Sequence, residues 1–367
     1  MSLKIMLTTS VLTGGGAERV VSVWASELAE KGYDISLLLA GRTENEYSLS
    51  DKVKVYTIAP TYSAYQNMSK IQKILGRHSV LKSVRPDYLI SFLPHIQVLS
   101  LFTSVGLGIK RIETVRISPW HAEYNHGLNK ILWKLCFETG SGIIIQSKDQ
   151  AGYFRKAVQK KCVVIPNPIS EIYETHYKKV FQDNVTTLIA AGRLTEQKNY
   201  PMMIDAFALA MGQMQMANKP ILKIFGAEDS PDYTEKLRAY IKEKGMDKYV
   251  HLMGRSSHIE DEYANADVFL MSSDFEGMPN ALAEAMASKL VCISTDCKTG
   301  PRDLIDHGQN GYLVPVGDAT AMAEAIRKVC IMSKQQRMDI GDLARGKIMT
   351  YCSQENSIEK ICDLLGE

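Results

Sequence analysis

The sequence has no long apolar run: nothing in its 367 residues approaches about 18 consecutive apolar side chains, so no segment is expected to cross a bilayer. It has little net charge. The 43 Lys and Arg against 41 Asp and Glu leave +2, which excludes a strongly basic nucleic-acid binder. The seven cysteines are odd in number, scattered and without a Cys-x-x-Cys pair, so neither a disulfide framework nor a structural zinc site is signalled. The opening MSLKIMLTTSVLTGGG carries one lysine and too short an apolar run for a signal peptide. A reducing, cytoplasmic setting is the expectation that these absences leave.

A chain of 367 residues suggests about two domains at roughly 150 residues each. The pattern along it agrees. Lys4 to Val11 reads as a strand that runs into Gly14-Gly15-Gly16, then a helix from Ala17 to Lys31 with Val20, Val21, Trp24 and Leu28 as its apolar stripe. Strands follow at 35–39, 53–58, 88–92, 112–115, 142–146 and 162–165, with helices expected at 66–84, 129–137 and 148–158. Short apolar runs alternating with helical patterns mean a parallel, doubly wound α/β sheet. Pro166-Asn167-Pro168 breaks the chain, and a polar stretch follows. The alternation then restarts at Thr187 and continues through strands at 221–225, 250–253, 268–271 and 291–294, which is a second α/β domain.

Ligands of open parallel sheets bind beyond the carboxyl ends of the strands. Val268 to Met286, VFLMSSDFEGMPNALAEAM, is a strand, a loop and a helix, with Glu276 in the loop and Glu284 in the helix, seven residues between them. Pro279 suits the first helical position, and the helix N-terminus offers unpaired N–H groups to a phosphate. Carboxylates flanking such a site would accept hydrogen bonds from hydroxyls, which fits a sugar nucleotide. The alternative is a helix with one acidic residue near its dipole and a second, exposed Glu. At an earlier strand end, AAGRLTEQKN sets Arg193 and Lys198 on a polar loop, either as solvated surface charge or as neutralisers of a diphosphate. Gly14-Gly15-Gly16 is not the spaced dinucleotide fingerprint; it is either a tight turn or a loop open to close approach by a ligand.

Taken together, GGGAERV, GRLTEQKN, FGAED, VHLMGR, EGMPNALAEAM and STDCKTGPRDLIDHGQNGYLVPVGD resemble glycosyltransferase family 4, retaining enzymes of the GT-B architecture, along essentially the whole chain. The resemblance implies two Rossmann-like domains facing across a cleft. These are an acceptor-side domain over 1–167, to which a last helix at about 353–367 crosses back, and a nucleotide-sugar domain over 168–352. By the same resemblance, Arg193 and Lys198 hold the donor diphosphate, Glu284 the ribose, and Glu276 the region of the transferred sugar. Gly277, Met278, Pro279 and Asn280 form the loop whose backbone reaches sugar and phosphate. Gly254 and Arg255 occupy the base-binding turn, and Gly15 and Gly16 the loop facing diphosphate or acceptor. Where many members carry a sugar-site His, this chain has Arg116, as do some members acting on lipid-linked sugars; the role of His121 stays open.

No Asp-x-Asp occurs, and the cationic pair is an alternative charge sink, so neither a metal nor a cofactor is expected. The expected reaction is retaining transfer of a hexose or N-acetylhexosamine from a UDP-sugar, with a GDP-sugar as runner-up, to a lipid-linked or cell-surface glycan. A sugar-nucleotide epimerase, a two-carboxylate hydrolase and a non-catalytic sugar-nucleotide-binding module are the competing readings. The stretch 67–85 adds a partner: Ile71, Ile74, Leu75 and Leu81 form an apolar stripe among Lys70, Lys73, Arg77, Lys82 and Arg85, with no acidic residue. Such a helix either lies on an anionic membrane surface or packs on its own sheet with its cations in water.

Overall fold

A computed structural model describes residues 2–121, 126–214 and 219–366. The chain divides into two compact units, one of 1–168 with 354–367, the other of 169–353.

The first unit holds a seven-stranded parallel sheet of β1 (Lys4–Thr8), β2 (Asp34–Leu39), β3 (Lys54–Thr57), β4 (Tyr88–Ser91), β5 (Lys110–Val115), β6 (Gly142–Ile145) and β7 (Cys162–Val164). Their spatial order is β3-β2-β1-β4-β5-β6-β7. Its helices are α1 (Gly16–Glu30), α2 (Tyr62–Gln66), α3 (Lys70–Val84), α4 (Pro94–Thr103), α5 (Gly127–Thr139) and the single turn α6 (Lys156–Gln159). Strands buried on both sides read as almost continuous apolar runs, which is why the sequence betrays them. Val20, Val21, Trp24 and Leu28 of α1 pack with Ile5, Leu7 and Ile90 on one face, while Leu81 of α3 meets Met6, Leu38 and Leu89 on the other.

The second unit holds α7 (Ile172–Thr175), β8 (Thr187–Ala191), α8 (Tyr200–Gln213), β9 (Ile221–Phe225), α9 (Pro231–Glu243), β10 (Val250–Gly254), α10 (Ile259–Asn265), β11 (Val268–Met271) and α11 (Asn280–Ala287). It continues with β12 (Val291–Thr295), α12 (Pro301–Leu304), β13 (Tyr312–Val314), α13 (Ala319–Cys330) and α14 (Lys334–Tyr351). The sheet order is β10-β9-β8-β11-β12-β13, again all parallel. The last helix, α15 (Gln354–Leu365), belongs to the first unit, where Ile358, Ile361 and Leu365 join the core that α1 covers. Strand order reverses between β1 and β4 and again between β8 and β11, so each sheet has one switch point at which connections leave in opposite directions.

Several elements differ from the sequence expectation. β1 ends at Thr8 rather than Val11. The expected helix 66–84 is two helices, because Ser69 and Gln72 form a reciprocal capping box that starts α3 afresh. Lys148 to Tyr153 is a 3₁₀ segment, separated from α6 by Phe154 and Arg155, and β13 was not anticipated. Pro279 is the N-cap, not the first helical residue, with φ −76° and ψ 102°. Arg77 is a further correction: it is not a surface cation but 3% exposed, its guanidinium donating to Thr8 Oγ1 and Ser100 Oγ, each at 2.9 Å. Spaced i,i+4 from Leu81, it shares the inward face of α3, while Ile71 and Leu75 are left outside.

Candidate functional site

In the second unit the loops that follow β8, β9, β10, β11 and β12 are tied together by their own hydrogen bonds. Gly192 N donates to Phe225 O at 2.9 Å, and Gly226 N to Gly254 O at 2.8 Å. A Cβ on Gly226 would overlap the Gly192 carbonyl oxygen, so only glycine permits this approach of two strand ends. After Gly192 and Arg193, a 3₁₀ turn over Glu196–Lys198 leads to Asn199, which adopts φ 44° and caps α8 by accepting from Met202 N.

This turn is stapled to the loop after β11. Asp274 N donates to Gln197 O at 2.9 Å, Gln197 Nε2 to Phe275 O at 2.7 Å, Asn199 Nδ2 to Asp274 Oδ1 at 2.8 Å, and Ser272 Oγ to Lys198 O at 2.6 Å. The staples set Lys198 Nζ 2.6 Å from Glu276 Oε1, with the two side chains only 19% and 9% exposed. Thr299 Oγ1 donates to the Glu276 carbonyl oxygen. Gly300, at φ 93°, lies so close that a Cβ would stand 2.7 Å from both Gly277 O and Pro279 Cδ. The Gly277-Met278-Pro279-Asn280 turn is therefore held from below, with Met278 buried.

α11 begins at Asn280 with no side chain capping it. Its first-turn N–H groups carry the partial positive charge of a helix start beside the Lys198–Glu276 pair, a field that favours an anion. Glu284 lies on the following turn of α11, half-buried, and its charge joins burial in pushing the phenol of Tyr263 well above its ordinary range. Arg193 is placed differently from Lys198: its side chain is 70% exposed and reaches Asp229 at 3.5 Å. Gly254, at φ 72°, ends β10, and Arg255 beyond it is exposed.

In the first unit, the groups singled out lie at the carboxyl edge of the sheet near its own switch point. Gly15 is the N-cap of α1 and has no capping side chain. The Glu18 carboxylate folds back over it, into the space a Gly15 Cβ would need, and burial raises its pKa. Arg116, just past β5, donates from Nη1 to Asn167 Oδ1 at 2.9 Å and lies over the rings of Trp24 and Phe92, 4.4 and 4.8 Å from their centroids. The residue is partly exposed, yet its Nε and Nη2 are shielded from water and without a hydrogen-bond partner. Burial pulls the guanidinium down to about 9, so it keeps its proton at neutral pH. His121 Nδ1 lies 3.0 Å from Ser118 Oγ.

Sequence reasoning missed Ser10 and His95, whose Oγ and Nε2 are 2.6 Å apart between the loop after β1 and the start of α4. A histidine directly after Pro94, at a helix start beyond the strand that flanks the switch point, was the available signal. The staples Gln197, Asn199, Ser272 and Thr299 were missed as well, and only the pairing of distant loops reveals them.

Two family models match. Glycosyltransferase Family 4 matches residues 14–171, and Glycosyl transferases group 1 matches residues 185–331. The amylovoran biosynthesis glycosyltransferase of Erwinia amylovora is 24% identical over 349 residues, covering 93% of each chain. The "GalNAc-alpha-(1->4)-GalNAc-alpha-(1->3)-diNAcBac-PP-undecaprenol alpha-1,4-N-acetyl-D-galactosaminyltransferase" of Campylobacter jejuni is 25% identical over 334 residues, covering 89% of each. Among solved structures, Anabaena HepE in complex with UDP superposes with a TM-score of 0.78 at 19% identity, over 99% of each chain.

Proposed function

Since this chain belongs to the GT-B glycosyltransferases of the family 4 type, we propose that it transfers a hexose or N-acetylhexosamine from a UDP-sugar to a lipid-linked or cell-surface glycan, with retention at the anomeric carbon and without a metal. The observation that carries the reading is the Lys198–Glu276 pair beside the uncapped start of α11. Lys198 has three N–H donors, so it can keep Glu276 and still reach a phosphate oxygen. Glu276 is engaged through Oε1, and its second oxygen is available to accept from a sugar hydroxyl. Arg193, on its exposed and flexible stem, adds a second cation to the diphosphate. Glu284, one turn into α11, takes the ribose hydroxyls, and the turn of Gly254 and Arg255 takes the base.

In this reading the acceptor oxygen attacks the anomeric carbon on the face that the diphosphate leaves. The bond from carbon to phosphate oxygen breaks, and the departing diphosphate takes the acceptor's proton. Catalysis then consists of positioning and of fixed positive charge where negative charge develops. In the first unit Arg116, Gly15 and Gly16 are assigned to sugar, diphosphate or acceptor contacts. The UDP-sugar is supported by the likeness to a structure that holds UDP, and the lipid-linked acceptor by a relative whose name carries an undecaprenol diphosphate. Calorimetric titration with UDP and GDP decides the donor: UDP should bind and be weakened by Glu284→Ala, whereas tight GDP binding with no UDP binding defeats the assignment.

A further inference from the structure

The two faces of the first unit's sheet are covered by helices of opposite character. Connections from β3 to β4, β4 to β5 and β5 to β6 step one way along the sheet and the connection from β1 to β2 steps the other. Right-handed crossovers therefore put α3, α4 and α5 on one face and α1 on the other, where α15 joins it. On the α1 and α15 side the helices carry Glu18, Glu27, Glu30, Glu355, Glu359 and Asp363 against Arg19 and Lys360, and no large apolar residue there is exposed among the described residues.

The other side reverses both features. Ile71 and Leu75 on α3, Phe102 on α4, and Leu128 and Ile131 on α5 all face solvent, with Ile71 and Leu128 each 69% exposed. Val105, just past α4, is 70% exposed. No acidic residue occurs in α3 or α4, and α5 has Glu138 alone, which is paired with Arg155 at 3.0 Å. Lys70, Lys82, Lys130 and Lys134 are exposed, and none is in an ion pair among the described residues. Lys73 is committed elsewhere, donating to Gln66 O at 3.1 Å and lying 4.7 Å from the Tyr65 ring centroid.

Apolar residues exposed on three neighbouring helices, set among unpaired lysines, are the chemistry of a surface that meets an apolar layer behind negative headgroups. The cations of a mixed-charge partner would find no unpaired carboxylate among these helices, and a purely electrostatic partner would have no use for Ile71, Phe102 or Leu128. We propose that the outer face of α3, α4 and α5 docks on an anionic bilayer, inserting these side chains at the headgroup boundary while the four lysines meet lipid phosphates. The proposal rests on the lipid-linked acceptor above and widens the contact from one helix to a whole layer. It also excludes Arg77, which is engaged inside the unit.

The test is co-sedimentation of the full chain with phosphatidylcholine vesicles that contain or lack phosphatidylglycerol, at rising salt, with thermal unfolding of every variant as a folding control. Wild type should bind only the anionic vesicles, less as salt rises. Lys70→Glu with Lys82→Glu, Lys130→Glu and Lys134→Glu should lower partitioning by at least about tenfold. Ile71→Ser with Leu75→Ser and Ile131→Ser should lower it even where salt is low. Ser26→Ala with Asn356→Ala, on the opposite face, should leave partitioning unchanged. Equal sedimentation of wild type and the two α3–α5 variants, or none by any form, overturns the proposal. So does a concentration-dependent dimer in sedimentation velocity that the Ser variant abolishes, which would assign the face to a second copy. UDP binding is measured without vesicles, so failure here leaves the donor reading standing.

Discussion

Lys198→Ala tests the site at its centre. The side chain is 19% exposed and its Nζ lies 2.6 Å from a carboxylate that is itself 9% exposed, so the substitution removes a fixed charge and leaves Glu276 alone in a poorly hydrated place. Two effects follow and they separate. Loss of a preorganised positive charge from a leaving group that is becoming negative should raise the barrier by about 3–4 kcal/mol, a fall in kcat of about 10²–10³-fold. The abandoned carboxylate should cost about 1–3 kcal/mol of stability. Adding Glu276→Gln removes the stranded charge, so the double variant should regain much of the stability and none of the turnover. The assay is UDP release at saturating donor alongside thermal unfolding of the two variants. Near-normal kcat in Lys198→Ala, or recovery of turnover in the double variant, refutes the reasoning.

Glu284→Ala should weaken UDP binding by about tenfold with little change in kcat, since the ribose contacts proposed for it would be made equally in ground and transition states; a collapse of kcat at saturating donor would contradict that role. Gly226→Ala forces a Cβ onto the Gly192 carbonyl oxygen and should destabilise the second unit by about 2 kcal/mol or more, read as a lower unfolding midpoint. Glu113 is 0% exposed, and burial holds its carboxyl up at about 8 against an ordinary 4.5, outweighing the neighbouring Arg111. A folded-state pKa above the unfolded one contributes stability that is complete below about 4.5 and is lost as pH rises through about 8. Glu113→Gln should flatten that decline in unfolding free energy, and an unchanged slope would show that another group sets it.

Much of this was legible because doubly buried parallel strands advertise themselves as short apolar runs and their carboxyl ends as glycine-bearing loops. Gly192, Gly226 and Gly254 stand where the strand ends meet for that reason. What the pattern hid has a common physical cause. A charged residue in a helix reads as solvent-facing, so Arg77 was counted with the surface lysines, although Thr8 and Ser100 offer it partners inside. Ser10 and His95 are 85 positions apart in sequence, and Gln197 meets Phe275 across 78, distances over which local periodicity says nothing. Arg193 and Lys198 look equivalent in GRLTEQKN, but the turn of Glu196–Lys198 aims one at Glu276 and leaves the other at the surface.

The most direct test of sugar transfer is UDP release from a panel of UDP-sugars, followed with and without a lipid-linked glycan acceptor. Release by at least one donor that depends on acceptor, and that yields an elongated glycan by mass spectrometry, is the expected result. UDP freed at the same rate whether or not acceptor is present would contradict it, and would point instead to epimerisation or hydrolysis at the Lys198–Glu276 site.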